Sequence, residues 1–205
     1  LPYPHKKFSI IQYQNKEIVY ILSERQQVCQ TYNNLLSEAK CTLNGLRDRG
    51  LKAGDRIILQ IESLRDYFSA LWGCILGGIQ PVTVAVAKTY QQSNAIIKKL
   101  YNTWELLEHP PILASESLLE QLQNLPEILP FSELQILSVE KMRNYPATEE
   151  IYHSQPDDVA FLQLTSGSTG VPKCIQETQQ GIITHIQAAQ QFNGYQAEDI
   201  SLNWL

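Results

Sequence analysis

The chain has 205 residues, of which 43% are hydrophobic, 18% charged and 9% aromatic, and its ten glycines and ten prolines are near average usage. These values exclude collagen, a low-complexity linker and an acidic disordered tail, while the length allows one large domain or two small ones. The formal net charge is -5 and no basic run exceeds the pairs Lys6-Lys7 and Lys98-Lys99, so we expect no nucleic-acid partner.

The N-terminal part of the chain predicts a hairpin followed by a helix. Two β-rich runs, residues 8–12 and 17–22, are separated by four polar or aromatic residues and are typical of paired strands. Thr31 is the predicted N-cap of a helix over residues 32–49, in which leucines and alanine recur at helical spacing. Gly50 follows at the position where a left-handed residue commonly ends a helix.

The next elements alternate between strand and helix. Residues 56–60 predict a short buried strand, and Ser63 is the predicted cap of a second helix that ends at Gly77-Gly78. Residues 79–86 predict the strand that follows. The face of this helix predicted to be apolar consists of Leu64, Phe68, Leu71, Trp72 and Ile75.

The alternation continues to the end of the chain. The remaining predicted elements are helices at 93–107, 115–125 and 178–192 and strands at 112–114, 134–139, 159–164, 174–177 and 200–205. Asp157 and Asp158 predict a turn into the strand at 159–164. Strands alternating with helices are typical of a parallel sheet. We therefore predict an α/β fold, with a mostly parallel sheet flanked by helices and an N-terminal β-hairpin.

The cysteine spacing and the length of the apolar runs indicate the cellular compartment in which the protein is expected. No two of the four cysteines have the C-x-x-C spacing of a zinc site, and a chain of this size needs no disulfide staples. The longest apolar candidate, residues 70–79, is too short to cross a bilayer. We expect four reduced thiols in a cytoplasmic protein without a membrane partner.

The segment with the clearest chemistry follows the strand at 159–164 directly and reads Thr-Ser-Gly-Ser-Thr-Gly-Val-Pro-Lys at residues 165–173. Glycines let backbone N–H groups approach an anion, hydroxyls add donors, and a lysine adds a positive charge. The Walker A spacing fails because its second glycine would fall at Pro172, and the G-x-S-x-G elbow fails because its first glycine would fall at Ser166. The composition predicts a loop that holds a polyphosphate.

This segment resembles the phosphate-loop signature of the adenylate-forming superfamily, which includes acyl-CoA ligases, fatty acyl-AMP ligases and the adenylation domains of nonribosomal peptide synthetases. Residues 31–55 and 71–82 resemble two earlier conserved blocks of that superfamily. Residues 176–178, 181–188 and 198–205 are most similar to the adenylating loading domains of cyanobacterial hybrid polyketide/nonribosomal peptide synthetases, of the microcystin synthetase type.

The resemblance implies ATP-dependent activation of a carboxylic acid, either aryl-alkanoic or fatty, as acyl-AMP with release of pyrophosphate. The acyl group then passes to the phosphopantetheine thiol of a partner carrier domain. The implied cofactors are ATP and Mg²⁺, with Thr169 as the hydroxyl near the metal and Lys173 as the catalytic residue that balances phosphate charge. The residues implied to surround the phosphates are Thr165, Ser166, Gly167, Ser168, Thr169, Gly170 and Lys173.

Several other polar and aromatic residues have less specific interpretations. Cys174 replaces the small residue, often glycine, that usually follows the motif lysine in the family, and we favour a packing role for it over a reactive one. His185 on the last helix faces either an acyl or pantetheine pocket or its own helix packing, and we favour packing. Trp72, Trp104 and Trp204 are interpreted as core or surface aromatics rather than adenine stackers.

The resemblance also predicts what lies elsewhere. The chain has no Tyr-Gly-x-Thr-Glu segment and no Thr-Gly-Asp stretch, and it lacks the late catalytic lysine. We expect residues 1–205 to be the N-terminal portion of an adenylation domain, truncated at its C-terminal end, with the remainder as a partner. The alternatives are an amino-acid-activating adenylation domain, an acyl-CoA ligase, or a truncated, non-catalytic interaction module.

Overall fold

The computed structural model describes residues 16–165 and 173–202. Its strands and helices, in chain order, are β1 (Glu17–Ser23), β2 (Gln26–Thr31), α1 (Tyr32–Asp48), β3 (Arg56–Gln60), α2 (Leu64–Gly77), β4 (Gln80–Thr83), α3 (Ala95–Leu106), β5 (Ile112–Ala114), α4 (Leu119–Gln123), β6 (Ile136–Ser138), α5 (Val139–Arg143), β7 (Val159–Thr165), β8 (Lys173–Thr178) and α6 (Gln179–Asn193). Short 3₁₀ turns flank α4, at Glu116–Leu118 and Leu125–Glu127.

The strands form a six-stranded sheet and a separate hairpin. The sheet order is β6-β5-β3-β4-β7-β8, and its pairs are parallel except for the antiparallel pair β7/β8. β1 and β2 pair antiparallel with each other. The predicted α/β class, the mostly parallel sheet and the N-terminal hairpin are confirmed.

Helices cover both faces of the sheet. Ile58 of β3 contributes to a core with α3 and α4, whereas its neighbours Ile57 and Leu59 contribute to a second core with α1, α2 and α5. Successive side chains of a strand point to opposite faces, so a strand buried on both faces has the continuous apolar run seen at residues 57–59.

The first helix agrees closely with its local signals. The Thr31 hydroxyl accepts a hydrogen bond from the Asn34 backbone N–H, as an N-cap should, and Gly50 has a φ of 89° just beyond the helix. The leucines Leu35, Leu43 and Leu46 are buried.

The predicted apolar face of α2 is only partly correct, since Phe68, Leu71 and Ile75 are half-buried. Leu64 and Trp72 of that face are 57% and 45% exposed. The buried face consists of small residues, namely Ser69, Ala70, Gly73, Cys74 and Gly77. The reason is the close approach of α1, because a Cβ on Gly73 would lie 2.8 Å from the backbone oxygen of Ala39. Only small side chains fit between two backbones at this distance.

The hairpin differs from its predicted pairing. The predicted strand at 17–22 is present as β1, but the strand described beside it is β2, which the sequence pattern did not predict. The run at 8–12 lies outside the described residues. A polar network holds this hairpin to the helices, because Tyr20 donates to Gln30 and Gln30 donates to Glu38 of α1.

Three other predicted elements have different bounds. β4 ends at Thr83 rather than at 86, because the carbonyls of Val84 and Ala85 accept hydrogen bonds from a side chain of β3 instead of a neighbouring strand. The helix predicted at 115–125 is shorter, since α4 covers only Leu119–Gln123 after a 3₁₀ turn at Glu116–Leu118. Within the described residues, 200–202 form no strand, and 203–205 lie outside them.

All four cysteines lie in the described residues and are free thiols. A search of the described helices found none that combines the length and apolar character needed to span a membrane.

Candidate active site

The two ends of the glycine-rich segment are described and lie side by side. Thr165 ends β7, Lys173 begins β8, and the two residues are register partners in the antiparallel ladder. The Thr165 hydroxyl donates to the Lys173 carbonyl at 3.5 Å, and the Lys173 side chain is exposed. The five intervening predicted site residues, Ser166, Gly167, Ser168, Thr169 and Gly170, lie outside the described residues.

This pairing places both ends of the segment at the carboxyl edge of the parallel strands. β7 runs parallel to β4, with Val82 opposite Leu162, so β7 ends at Thr165 near the place where β4 ends at Thr83. From β4 the chain passes back over β3 to β5, whereas from β7 it passes outward to β8. Neighbouring strands whose connections leave in opposite directions form a crevice, and ligands of open α/β sheets bind in such crevices.

A buried hydrogen-bond network holds the segment of residues 84–90, which follows β4 in the chain. The Gln60 side-chain amide donates to the Val84 carbonyl at 2.5 Å and to the Ala85 carbonyl at 3.1 Å. The Tyr90 hydroxyl donates to the Gln60 Oε1 atom at 2.5 Å and accepts from the Ala87 N–H at 3.2 Å. The sequence did not predict this hydrogen-bonding role for Gln60 or Tyr90. The available signal was a glutamine that ends the otherwise apolar strand of residues 57–60.

A cavity of about 330 Å³ lies at the boundary between β4 and β7. Its lining includes Tyr67 and Leu71 of α2, Thr83 of β4, and Phe161 and Leu164 of β7. The Tyr67 and Thr83 hydroxyls are hydrogen-bonded at 3.0 Å. A larger cleft of about 480 Å³ lies at the opposite, amino edge of the sheet, away from Thr165 and Lys173.

Cys174 has the packing role that we favoured. It lies opposite Leu164 in the ladder and packs, half-buried, against the core on the α3 side. Burial raises the pKa of its thiol, which keeps the sulfur protonated and poorly nucleophilic at neutral pH.

The other residues with two interpretations also have an outcome. We expected helix packing to enclose His185, but its side chain is exposed on α6, so this expectation is wrong. Trp104 is fully buried and stacks on His109, whereas Trp72 lies on the surface, as predicted for core and surface aromatics. Trp204 lies outside the described residues. Asp158 is in the predicted turn, where its carboxylate accepts from the Gln155 N–H at 2.6 Å.

The described residues contain no group of three or more His, Cys, Asp or Glu side chains that could hold a metal ion. The donors that this edge of the sheet does offer are hydroxyls, such as that of Thr165. Magnesium is commonly held by few protein ligands together with the phosphates of its substrate, and hydroxyl donors fit that manner of binding.

Comparisons with known proteins place the chain in a family. The sequence model described as AMP-binding enzyme matches residues 10–205. The atromentin synthetase of Suillus grevillei is 32% identical over 164 residues, which cover 76% of this chain and 16% of that protein.

Two solved structures share both fold and sequence with the chain. The first, McyG A-PCP complexed with phenylalanyl-adenylate, is 35% identical with a TM-score of 0.90, over 95% of this chain and 31% of that one. The second, the adenylation domain of a keto acid-selecting NRPS module bound to keto acyl adenylate, is 36% identical with a TM-score of 0.88, over 93% of this chain and 35% of that one. The chain spans a fifth or less of the curated relatives it matches.

Proposed function

The chain belongs to the AMP-binding enzyme family, and on that premise we propose that it is the N-terminal portion of an adenylation domain. The domain activates a carboxylic acid with ATP, forms an acyl-AMP and releases pyrophosphate. The observation that carries this proposal is the position of the glycine-rich segment, because its two paired ends, Thr165 and Lys173, lie at the crevice between β4 and β7.

The residues of the segment have distinct proposed roles. The backbone N–H groups and hydroxyls of residues 165–170 surround the β- and γ-phosphates, and the exposed ammonium group of Lys173 balances their charge. As pyrophosphate leaves, negative charge grows on its oxygens, and fixed donors at that place lower the barrier. Magnesium bound to the phosphates supplies further charge neutralisation, and Thr169 is the hydroxyl proposed to approach it.

The proposed substrate is a carboxylic acid that need not carry an α-amino group, with aryl-alkanoic and fatty acids as the first choices. The similar solved structures hold a keto acyl adenylate in one case and phenylalanyl-adenylate in the other. Amino acids are therefore the second candidate. A panel of matched acids with α-amino, α-keto or unsubstituted α-carbons, assayed by ATP–pyrophosphate exchange, separates these candidates.

The proposed partners are the remainder of the adenylation domain and a carrier domain whose phosphopantetheine thiol accepts the acyl group. The surface of α6 supports the first of these. No described side chain of this helix is fully buried, and Ile183, Ile186 and Phe192 are 51%, 59% and 91% exposed. Exposed apolar side chains clustered on one element are typical of a surface that further polypeptide covers.

The decisive experiment compares two lysine substitutions in the full adenylation domain. Lys173→Met is expected to lower acid-dependent ATP–pyrophosphate exchange by about 100-fold, the scale of losing one charge-stabilising group. Lys98→Met, an exposed lysine on α3, is the matched control and is expected to leave exchange unchanged. The 205-residue chain by itself is expected to give no exchange. Equal activity of the two variants, or exchange by the chain alone, would contradict the proposal.

A further inference from the structure

Helix α2 carries a stripe of large apolar side chains on the side that faces away from α1. The stripe, which we call the α2 stripe, consists of Leu64, Phe68, Leu71, Trp72 and Ile75. Leu64 and Trp72 are 57% and 45% exposed, and the other three residues are half-buried. At 3.6 residues per turn, the stripe lies opposite the small residues that pack on α1. The helix is therefore apolar on two opposite faces.

The sequence of α2 differs from that of an ordinary surface helix. No residue from Tyr67 to Gly77 is charged. Helix α3, on the other face of the sheet, exposes the polar residues Lys98, Asn102 and Glu105 at helical spacing. A surface helix usually has such a polar face, whereas a helix that is apolar on all sides is typical of one that is buried on all sides. The sequence of α2 therefore fits a helix that protein covers on both faces.

The apolar surface continues from α2 onto the sheet. Leu71 of the stripe and Phe161 of β7 both line the cavity at the boundary between β4 and β7. Leu162 contributes to the core on the α3 side, so its neighbour Phe161 faces the α2 side. Phe161 is only half-buried, although β7 has a neighbouring strand on each side. The α2 side of the sheet is thus open beside the stripe, where an inner strand would normally be covered.

An amphipathic stripe and an open sheet face are buried in folded domains by a further layer of secondary structure. The similar solved adenylation domain, which shares the arrangement of this chain with a TM-score of 0.88, is matched over 35% of its length. We propose that the α2 stripe is the docking face for a layer from the remaining part of the adenylation domain. This inference rests on the proposed function, because its occupant is the rest of that domain.

Hydroxyl-radical footprinting of the full adenylation domain tests the proposal, with Leu106 as the matched control. Trp72 and Leu106 are 45% and 48% exposed, and Leu106 lies on α3, on the other face of the sheet. Each side chain is compared with itself, as the ratio of its modification rate in denaturant to its rate in the native, monomeric domain. The expected ratio is about 2 for Leu106, because half of its surface is exposed, and about 10 or more for Trp72, because the docked layer buries it.

A pair of substitutions gives a second measurement. Trp72→Gln is expected to lower the urea midpoint of the full domain by about 1 M, since it places a polar side chain in a buried interface and leaves space there. Leu106→Gln is expected to leave the midpoint nearly unchanged. Should the Trp72 variant fail to fold, the footprinting of the wild-type domain still decides the question.

The outcomes separate the docking face from the proposed function. A Trp72 ratio equal to that of Leu106 overturns the proposal, as does protection of Trp72 that appears only on dimerisation or only when a carrier domain is added. If Trp72 is unprotected in a domain that gives acid-dependent ATP–pyrophosphate exchange, the docking face is wrong and the proposed function stands. If Trp72 is protected in a monomeric domain that gives no exchange, the proposed catalysis is wrong and the docking face stands.

Discussion

Replacing Glu38 by glutamine tests the hydrogen-bond network that joins the N-terminal hairpin to helices α1 and α2. The Glu38 carboxylate accepts from Gln30 at 2.7 Å, from the Ser69 hydroxyl at 3.0 Å and from the guanidinium group of Arg65. Burial alone would raise the pKa of Glu38, but the hydrogen bonds from Arg65 and Ser69 and the positive charge of Arg65 outweigh it and lower the pKa.

The magnitude follows from the donors. Every hydrogen-bond partner of the Glu38 carboxylate is a donor. Glutamine replaces one of the two carboxylate oxygens by an NH₂ group, which then faces donors and cannot accept their hydrogen bonds. Hydrogen bonds to a charged group contribute roughly 1.5–3 kcal/mol each in partly buried positions. The Arg65 side chain is 39% exposed and water screens part of this energy. We expect Glu38→Gln to lower the free energy of unfolding by about 2 kcal/mol at pH 7.

The assay is urea unfolding of the chain between pH 3 and pH 8. Because folding lowers the pKa of Glu38, the carboxylate stabilises the fold fully above its ordinary value near 4.5, and this stabilisation is lost as the pH falls through the lowered pKa. The difference between wild type and Glu38→Gln should therefore be constant from pH 6 to pH 8 and shrink below about pH 5.

The control is Glu149→Gln, because Glu149 also pairs with a basic residue, Lys40, but its side chain is 86% exposed. Exposed ion pairs contribute about 0–1 kcal/mol, so this variant should unfold close to the wild type at every pH. The reasoning is refuted if the two variants differ from the wild type by the same amount, or if the Glu38→Gln difference persists unchanged at pH 3.

Two further outcomes are expected from packing and burial. Gly73→Ala should destabilise the chain by about 1–3 kcal/mol, since its Cβ would meet the α1 backbone, whereas Gly181→Ala in α6, which meets only its own cap hydroxyl, should be neutral or slightly stabilising in urea unfolding. Cys74 is fully buried and its pKa is raised to about 12, while Cys29 is exposed. Alkylation followed by mass spectrometry should therefore modify Cys29 in the native chain and Cys74 only in denaturant, and equal rates would contradict the packing described for α2.

Short sequence patterns predicted the elements whose structure depends on a few consecutive residues. Thr31 and Gly50 mark the ends of α1 because capping and left-handed geometry depend on a few consecutive residues. The strand at 57–59 was predictable because burial on both faces leaves an unbroken apolar run. The glycine-rich segment was recognisable for a related reason, since its chemistry lies within nine consecutive residues.

The features that sequence reasoning missed depend on residues far apart in the chain. The buried face of α2 is decided by α1, so the residues that look most apolar, such as Trp72, are on the surface. Gln60 and Tyr90 are 30 residues apart and have no shared period or motif. The pairing of β1 with β2 was missed because β2 is a mostly polar strand, Gln26–Thr31, without the alternation that predicts a strand.

The connection of the glycine-rich segment to β8 supports the role proposed for Lys173. In many phosphate loops a helix begins directly after the loop, and its N-terminus contributes partial positive charge. Here the segment leads into β8, and α6 begins only at Gln179, at the far end of that strand. In the described residues that follow the segment, no helix begins before Gln179, so under the proposed function loop N–H groups, magnesium and the exposed Lys173 balance the charge of the phosphates. This is the physical reason to expect a large effect from Lys173→Met.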